Sequence, residues 1–161
     1  MLLFNRRTFL LSAVALAGCG FQPAYGPNGT ASKLRGKIRV ESSDTREGFT
    51  LAHELESIFA QATDEQYLLT FSIDTDEDGL GITTDQEITR YHVTGSAKYT
   101  LVRTSDGQTA ASGEVRSFTA YSATGSTVSS VSATRDAYDR LMSILADQIA
   151  AQIHAKMAAT A

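Results

Sequence analysis

Ile88 to Arg103 is the stretch that most narrows what this chain can fold into. Across it Tyr91, Val93, Gly95, Ala97, Tyr99 and Leu101 alternate with Arg90, His92, Thr94, Ser96, Lys98 and Thr100. Period-two alternation puts one set on each face of a strand. Ser105-Asp106-Gly107 then reads as a turn, and Thr109 to Tyr121 as the returning strand. Two registers are open to this hairpin. A three-residue loop with Gly107 left-handed pairs Thr104 with Gln108, Lys98 with Glu114, Ala97 with Val115 and Ser96 with Arg116. A two-residue Asp-Gly turn sets Ala97 against Arg116 and mixes polar with apolar residues on both faces. The first register is favoured, because opposite charges meet and the small apolar residues share a face. Gly95 and Gly113 on that face leave room for a helix to pack closely.

The other elements follow from periodicity. Lys37-Ile38-Arg39-Val40 suits a short strand, and Tyr67 to Asp74, with Leu69, Phe71 and Ile73 on one side, a longer one. Leu51, Leu55, Ile58, Phe59 and Ala62 share one face at helical spacing, predicting a helix over 46–61 with His53 and Glu56 turned toward water. Ser122 to Ser132, rich in Ser, Thr, Gly and Ala, reads as a mobile loop. Ser132 or Thr134 would cap a last helix reaching about Ala155, with Tyr138, Leu141, Met142, Leu145, Ile149 and Ile153 as its apolar stripe and His154 pointing away. The expected fold class is α+β: a mostly antiparallel sheet of about four strands with two helices packed on one face.

The N-terminus fixes location. Arg6 and Arg7 precede an apolar run from Phe9 to Leu16, and Leu16-Ala17-Gly18 leads to Cys19, the one cysteine of 161 residues. A charged start, an apolar middle and small residues before a cleavage point make a secretory signal. Leu-Ala-Gly-Cys resembles the bacterial lipobox, which implies cleavage after Gly18 and acyl chains on Cys19. Several chains anchor far more firmly than one. Asn5-Arg6-Arg7-Thr8-Phe9-Leu10 also resembles a twin-arginine export signal; a general secretory signal needs the same charge, so both routes stand. The expected organisation is a signal peptide over 1–18, an anchor and extended tether holding Pro23 and Pro27 over 19–36, and one α+β domain over 37–161.

Removal of residues 1–18 leaves 143 residues, and the 14 basic and 18 acidic side chains become 12 and 18, a net charge of −6. That balance excludes a general nucleic-acid binder. With its thiol acylated, the mature chain has no disulfide to stabilise it. No later stretch approaches the roughly 20 apolar residues needed to span a bilayer.

Two clusters carry possible ligand chemistry. Asp74-Thr75-Asp76-Glu77-Asp78-Gly79, with Asp85 beyond, approaches the calcium-loop pattern of acids at positions 1, 3, 5 and 12 around a glycine at 6. Against it, Asp85 is shorter than the usual bidentate Glu, Gly81 replaces an apolar residue, and a strand precedes the loop. A solvated acidic connection is the competing reading. Arg90, Lys98 and Arg116 share the hairpin's polar face and suit phosphate; a solvated face with a Lys98–Glu114 pair competes there. Catalysis has little to stand on. The chain lacks a Gly-x-Ser-x-Gly elbow and a His-Glu-x-x-His helix, and His53, His92 and His154 are scattered. No cofactor is called for.

Cys19-Gly20-Phe21-Gln22-Pro23-Ala24-Tyr25-Gly26 is similar to the mature start of the lipopolysaccharide-assembly lipoproteins, the LptE family, in its alphaproteobacterial form. Leu80-Gly81-Ile82-Thr83 and Arg90-Tyr91-His92-Val93-Thr94-Gly95-Ser96-Ala97 resemble that family's central hairpin, and the C-terminal amphipathic helix fits. The resemblance implies a non-enzymatic outer-membrane lipoprotein, anchored by acyl chains on Cys19 at the periplasmic side. Such a protein plugs the LptD barrel, helps that barrel assemble, and helps lipopolysaccharide reach the outer leaflet. Gly20 fits, since retention in the inner membrane is usually signalled by Asp there. The alternative is an accessory lipoprotein of another envelope lipid-transport complex.

Overall fold

The computed structural model describes residues 30–41, 43–82, 88–123 and 127–160. In chain order these form α1 (Thr30–Leu34), β1 (Ile38–Val40), α2 (Arg46–Phe59), β2 (Tyr67–Ile82), β3 (Ile88–Arg103), β4 (Thr109–Ser122) and α3 (Thr127–Thr160). The strands make one open sheet in the order β1-β2-β3-β4. β1 runs parallel to β2, and the other two pairings are antiparallel. The α+β expectation holds, with α2 and α3 as its two long helices and α1 as a short addition.

Strand alternation decides where the core goes. Leu69, Val93, Ala97, Tyr99, Leu101, Ala111 and Val115 all point to one face and are buried. α3 lies along β3 and β4 on that face, inserting Ala137, Leu141, Met142, Leu145, Ala146, Ile149 and Ile153. α2 packs beside α3 and reaches β1 and β2, burying Leu51, Leu55 and Phe59. Its first turn is capped by Thr45, whose hydroxyl accepts from the Gly48 N–H at 3.0 Å. At 34 residues α3 is roughly 51 Å long, and the 16-residue β2 and β3 reach roughly 53 Å. Helix and hairpin are therefore of similar length, and the buried part of α3 from Ala137 to Ile153 lies along β3 and β4.

The hairpin register is the expected one: Lys98 stands opposite Glu114, Ala97 opposite Val115 and Ser96 opposite Arg116. Its turn differs. The Arg103 N–H bonds the Gln108 carbonyl at 2.9 Å, so four residues form the loop, with Gly107 at φ 69°. An extra residue at Ala110, between the pairs Leu101–Ala111 and Val102–Thr109, restores the register. Asp106 fastens the turn by accepting from the Gln108 N–H at 3.1 Å and from Arg103 at 3.0 Å.

Four further expectations are corrected. β2 does not stop at Asp74 but continues through the acidic run to Ile82, because β3 offers ladder bonds along its whole length. The serine-rich stretch after β4 is helical from Thr127, and Thr134 caps nothing; it lies inside α3 and its hydroxyl donates to the Ser130 carbonyl at 3.0 Å. Small residues cost only a few tenths of a kcal/mol each once a helix is under way. His154 does not point away from the core: it is buried, its ring 5.5 Å from that of Phe59. The presumed tether contains α1, with Leu34 in the core. Gly36, at φ 74°, then clasps the end of α2, donating to the Phe59 carbonyl at 2.7 Å.

Candidate functional site

Among the described residues no helix lies on the sheet's second face, and alternation sends the polar residues of β2, β3 and β4 there. Asp74, Asp76 and Asp78 line it on β2; Arg90, His92, Thr94, Ser96 and Lys98 on β3; Glu114, Arg116 and Phe118 on β4. Reading across the sheet, Asp74 neighbours Ser96, which neighbours Arg116, so charge grades from acidic to basic over three strands. A shallow depression of about 510 Å3 lies on this line, with Asp74 and Asp76 on one side, Thr94 and Ser96 along its floor, and Arg116 and Phe118 on the other. Phe118 is 63% exposed, and its ring meets that of His92 edge-on at 4.7 Å. An exposed aromatic beside a guanidinium offers both apolar contact and bidentate donors.

Arg116 is held in place by its own strand. Its Nε and Nη2 donate to Glu114 Oε1 at 2.9 and 2.7 Å. The Arg116 hydrogen bond holds the Glu114 carboxyl below the usual carboxylate range, helped by the charges of Arg116 and Lys98 and opposed by burial. The pair is well exposed, so its worth to stability is small.

Arg90, Lys98 and Arg116 all reach this face but do not form one cluster. Lys98 and Arg116 flank Glu114, whereas Arg90 pairs with Ser122, six strand residues from Ser96 and so roughly 20 Å away. The acidic run lies differently from the calcium-loop pattern. A calcium loop curls to bring its oxygens to about 2.3–2.6 Å from the ion, but Asp74, Asp76 and Asp78 stand along an extended strand at steps of roughly 6.8 Å. Asp85 and Cys19 lie outside the described residues. Among the described residues no group of three or more His, Cys, Asp or Glu is placed to hold a metal ion, and no helix is long and apolar enough to cross a membrane. His53, His92 and His154 lie on α2, on the open face of β3 and in the core.

Sequence reasoning missed the exposed aromatic. Phe118 falls on the polar face by register, and that parity was readable once the hairpin was aligned.

On the core side of the same strands, Glu77 accepts from Tyr121 at 2.9 Å and Tyr138 at 3.4 Å, and Tyr91 stacks on Tyr121 at 5.1 Å. Burial pushes both phenols up, and Glu77 adds to the shift. These contacts tie the far half of β2 to β4 and α3.

Comparison with known structures places the fold. A protein of Caulobacter crescentus assigned as a lipoprotein superposes with a TM-score of 0.69 at 19% identity, over 82% of this chain and 97% of that one. Rare lipoprotein B of Shewanella oneidensis gives 0.54 at 13%, over 77% and 95%. A minor lipoprotein of Acinetobacter baumannii gives 0.54 at 16%, over 74% and 91%. At these identities the likeness is one of fold. None of the curated proteins matches the chain. Residues 31–153 match the family described as LptE, lipopolysaccharide-assembly, and on that match, which takes in the whole sheet, α2 and most of α3, the protein belongs to the LptE family.

Proposed function

We propose that this chain is an outer-membrane lipoprotein, anchored through acyl chains on Cys19, that seats in the LptD barrel and helps lipopolysaccharide into the outer leaflet. Family membership over residues 31–153 carries the reading. The role is binding and positioning, as in the family's non-catalytic members. The signal over residues 1–18, by either export route, delivers the chain to the periplasmic side, and the domain needs no spanning helix of its own.

The open sheet face is the proposed lipopolysaccharide contact. Lysine and arginine match the phosphates of lipid A, and Lys98 and Arg116 supply two cations a short distance apart. Asp74 and Asp76 across the depression suit sugar hydroxyls, which donate to carboxylates. Phe118 gives the apolar contact. Arg90 serves the far end of the same face.

The test is lipopolysaccharide binding by the Arg90→Glu/Arg116→Glu variant. Charge-assisted bonds of this type carry about 1.5–3 kcal/mol each, so affinity should fall at least about tenfold. Unchanged affinity in a folded variant removes this face as the site.

A further inference from the structure

The outer edge of β4 is closed in an unusual way. The Ala123 N–H bonds the Thr89 carbonyl at 2.9 Å, and the β3–β4 register is unbroken from Arg90–Ser122 to Leu101–Ala111. In an antiparallel ladder this phase commits the odd-numbered residues of β4 to β3. Its even-numbered residues turn their N–H and C=O groups outward, at an edge that no other described strand pairs. Three of those outward carbonyls are taken by side chains of α3. Lys156 donates to Ser112, Gln152 to Glu114 at 3.4 Å, and Arg140 to Ala120 at 3.3 Å.

The three donors belong to one row at i, i+4 spacing: Arg140, Ile144, Gln148, Gln152 and Lys156. Each step along it is roughly 6 Å, and each step between outward carbonyls is roughly 6.8 Å. Helix row and strand edge therefore keep pace over their shared length, which sets Gln148 level with Arg116 and Ile144 level with Phe118. One helix both covers the sheet and folds its polar fringe over the sheet's rim.

The other long edge is protected differently. Beyond Leu69, β2 pairs with nothing on its outer side among the described residues, and it carries Asp74, Asp76, Glu77 and Asp78. A second copy added there would bring like charges together. β4 has no such defence, because its charges complement themselves. Antiparallel pairing of two β4 strands about Val115 puts Glu114 of each copy opposite Arg116 of the other, on one face. The neighbouring registers put Glu114 against Glu114, or Arg116 against Arg116. An isologous two-fold contact therefore has one favoured register.

We propose that the outer edge of β4 is a strand-pairing surface for a second copy of this chain, held closed by the Arg140–Gln152–Lys156 row of α3. Opening it joins two four-strand sheets into one of eight. The inference does not depend on the lipopolysaccharide reading.

Sedimentation of the full chain in detergent tests it. The natural sequence stays monomeric, and Arg140→Ala/Gln152→Ala/Lys156→Ala dimerises at least tenfold more tightly. Adding Arg116→Glu to that variant returns the monomer, and adding Glu114→Arg as well restores the dimer. A folded triple variant that stays monomeric overturns the proposal, as does a dimer indifferent to Arg116→Glu or a natural sequence already dimeric. If the alanine variant loses its circular dichroism, the Arg140→Met/Gln152→Met/Lys156→Met variant, which keeps the aliphatic stems and removes the donors, is read by the same outcomes.

Discussion

Gly95 and Gly107 are glycines for opposite reasons. At Gly95 the backbone is ordinary strand, but a Cβ would lie 2.8 Å from Leu141 Cδ2 and 3.3 Å from its Cγ. At Gly107 a Cβ would meet nothing within 4 Å, yet φ is 69°. Gly95→Val should therefore destabilise by about 2–3 kcal/mol through overpacking, and Gly107→Ala by about 1 kcal/mol through backbone strain alone. Denaturant titration of each variant separates the two, and equal small effects would contradict the close approach of α3. The crowding at Gly95 was visible in the sequence, since a small residue on an apolar strand face predicts a close neighbour. The burial of His154 was not. It adjoins Ile153 on the stripe, and a helix face about 100° wide leaves its margins undecided. Burial pushes the His154 imidazole below its ordinary range. The unfolded chain then binds the proton more readily, so this contribution to stability is present above about pH 6.5 and is lost as pH falls below it. In thermal melts between pH 7 and 5, His154→Phe should show a shallower decline than the natural sequence. Parallel declines would place the ring in water.

Length carried a signal at the level of elements that composition concealed. A 16-residue β3 needs partners along its whole length, and an eight-residue neighbour ending at Asp74 leaves half of it unpaired. The acidic run argued for a connection because Asp and Gly have low strand propensity, but pairing with residues 88–96 outweighs propensity, and an edge strand tolerates carboxylates. The hairpin register was legible because charge and apolar pattern agreed on it, whereas its bulge at Ala110 leaves no mark on either. The start of α3 was hidden for a related reason. Its first turns bury little: Val128 is 77% exposed and Val131 46%, so no apolar stripe announced them. Those turns are held by propagation from the packed part of the helix. Amide exchange over residues 128–133 should accordingly run at least about 100-fold faster than over 141–149, measured by native-state hydrogen exchange. Uniform protection along α3 would mean that something covers Val128 and Val131.

Taken whole, the described residues form a sheet with one apolar face closed by two long helices and one polar face that none of them covers, fitted with two different defences at its edges. That division follows from the same alternation that set the core. The candidate site was legible only as a face: parity put Arg90, Lys98 and Arg116 on one side of the sheet, while their spacing of up to roughly 20 Å needed the register and the strand length together. Such a face offers carboxylates, cations and an exposed aromatic ring together, and the chain's net charge of −4 argues against a general anion binder. Family membership ties the domain to lipopolysaccharide assembly, and the proposed destination is a barrel in the outer membrane. Purification of the tagged full chain from outer membranes is the direct measurement. LptD should come down with it in one-to-one amount and stay bound through gel filtration, and the Cys19→Ser variant should recover less of it. Recovery of an inner-membrane lipid-transport complex in place of LptD would contradict the proposed role.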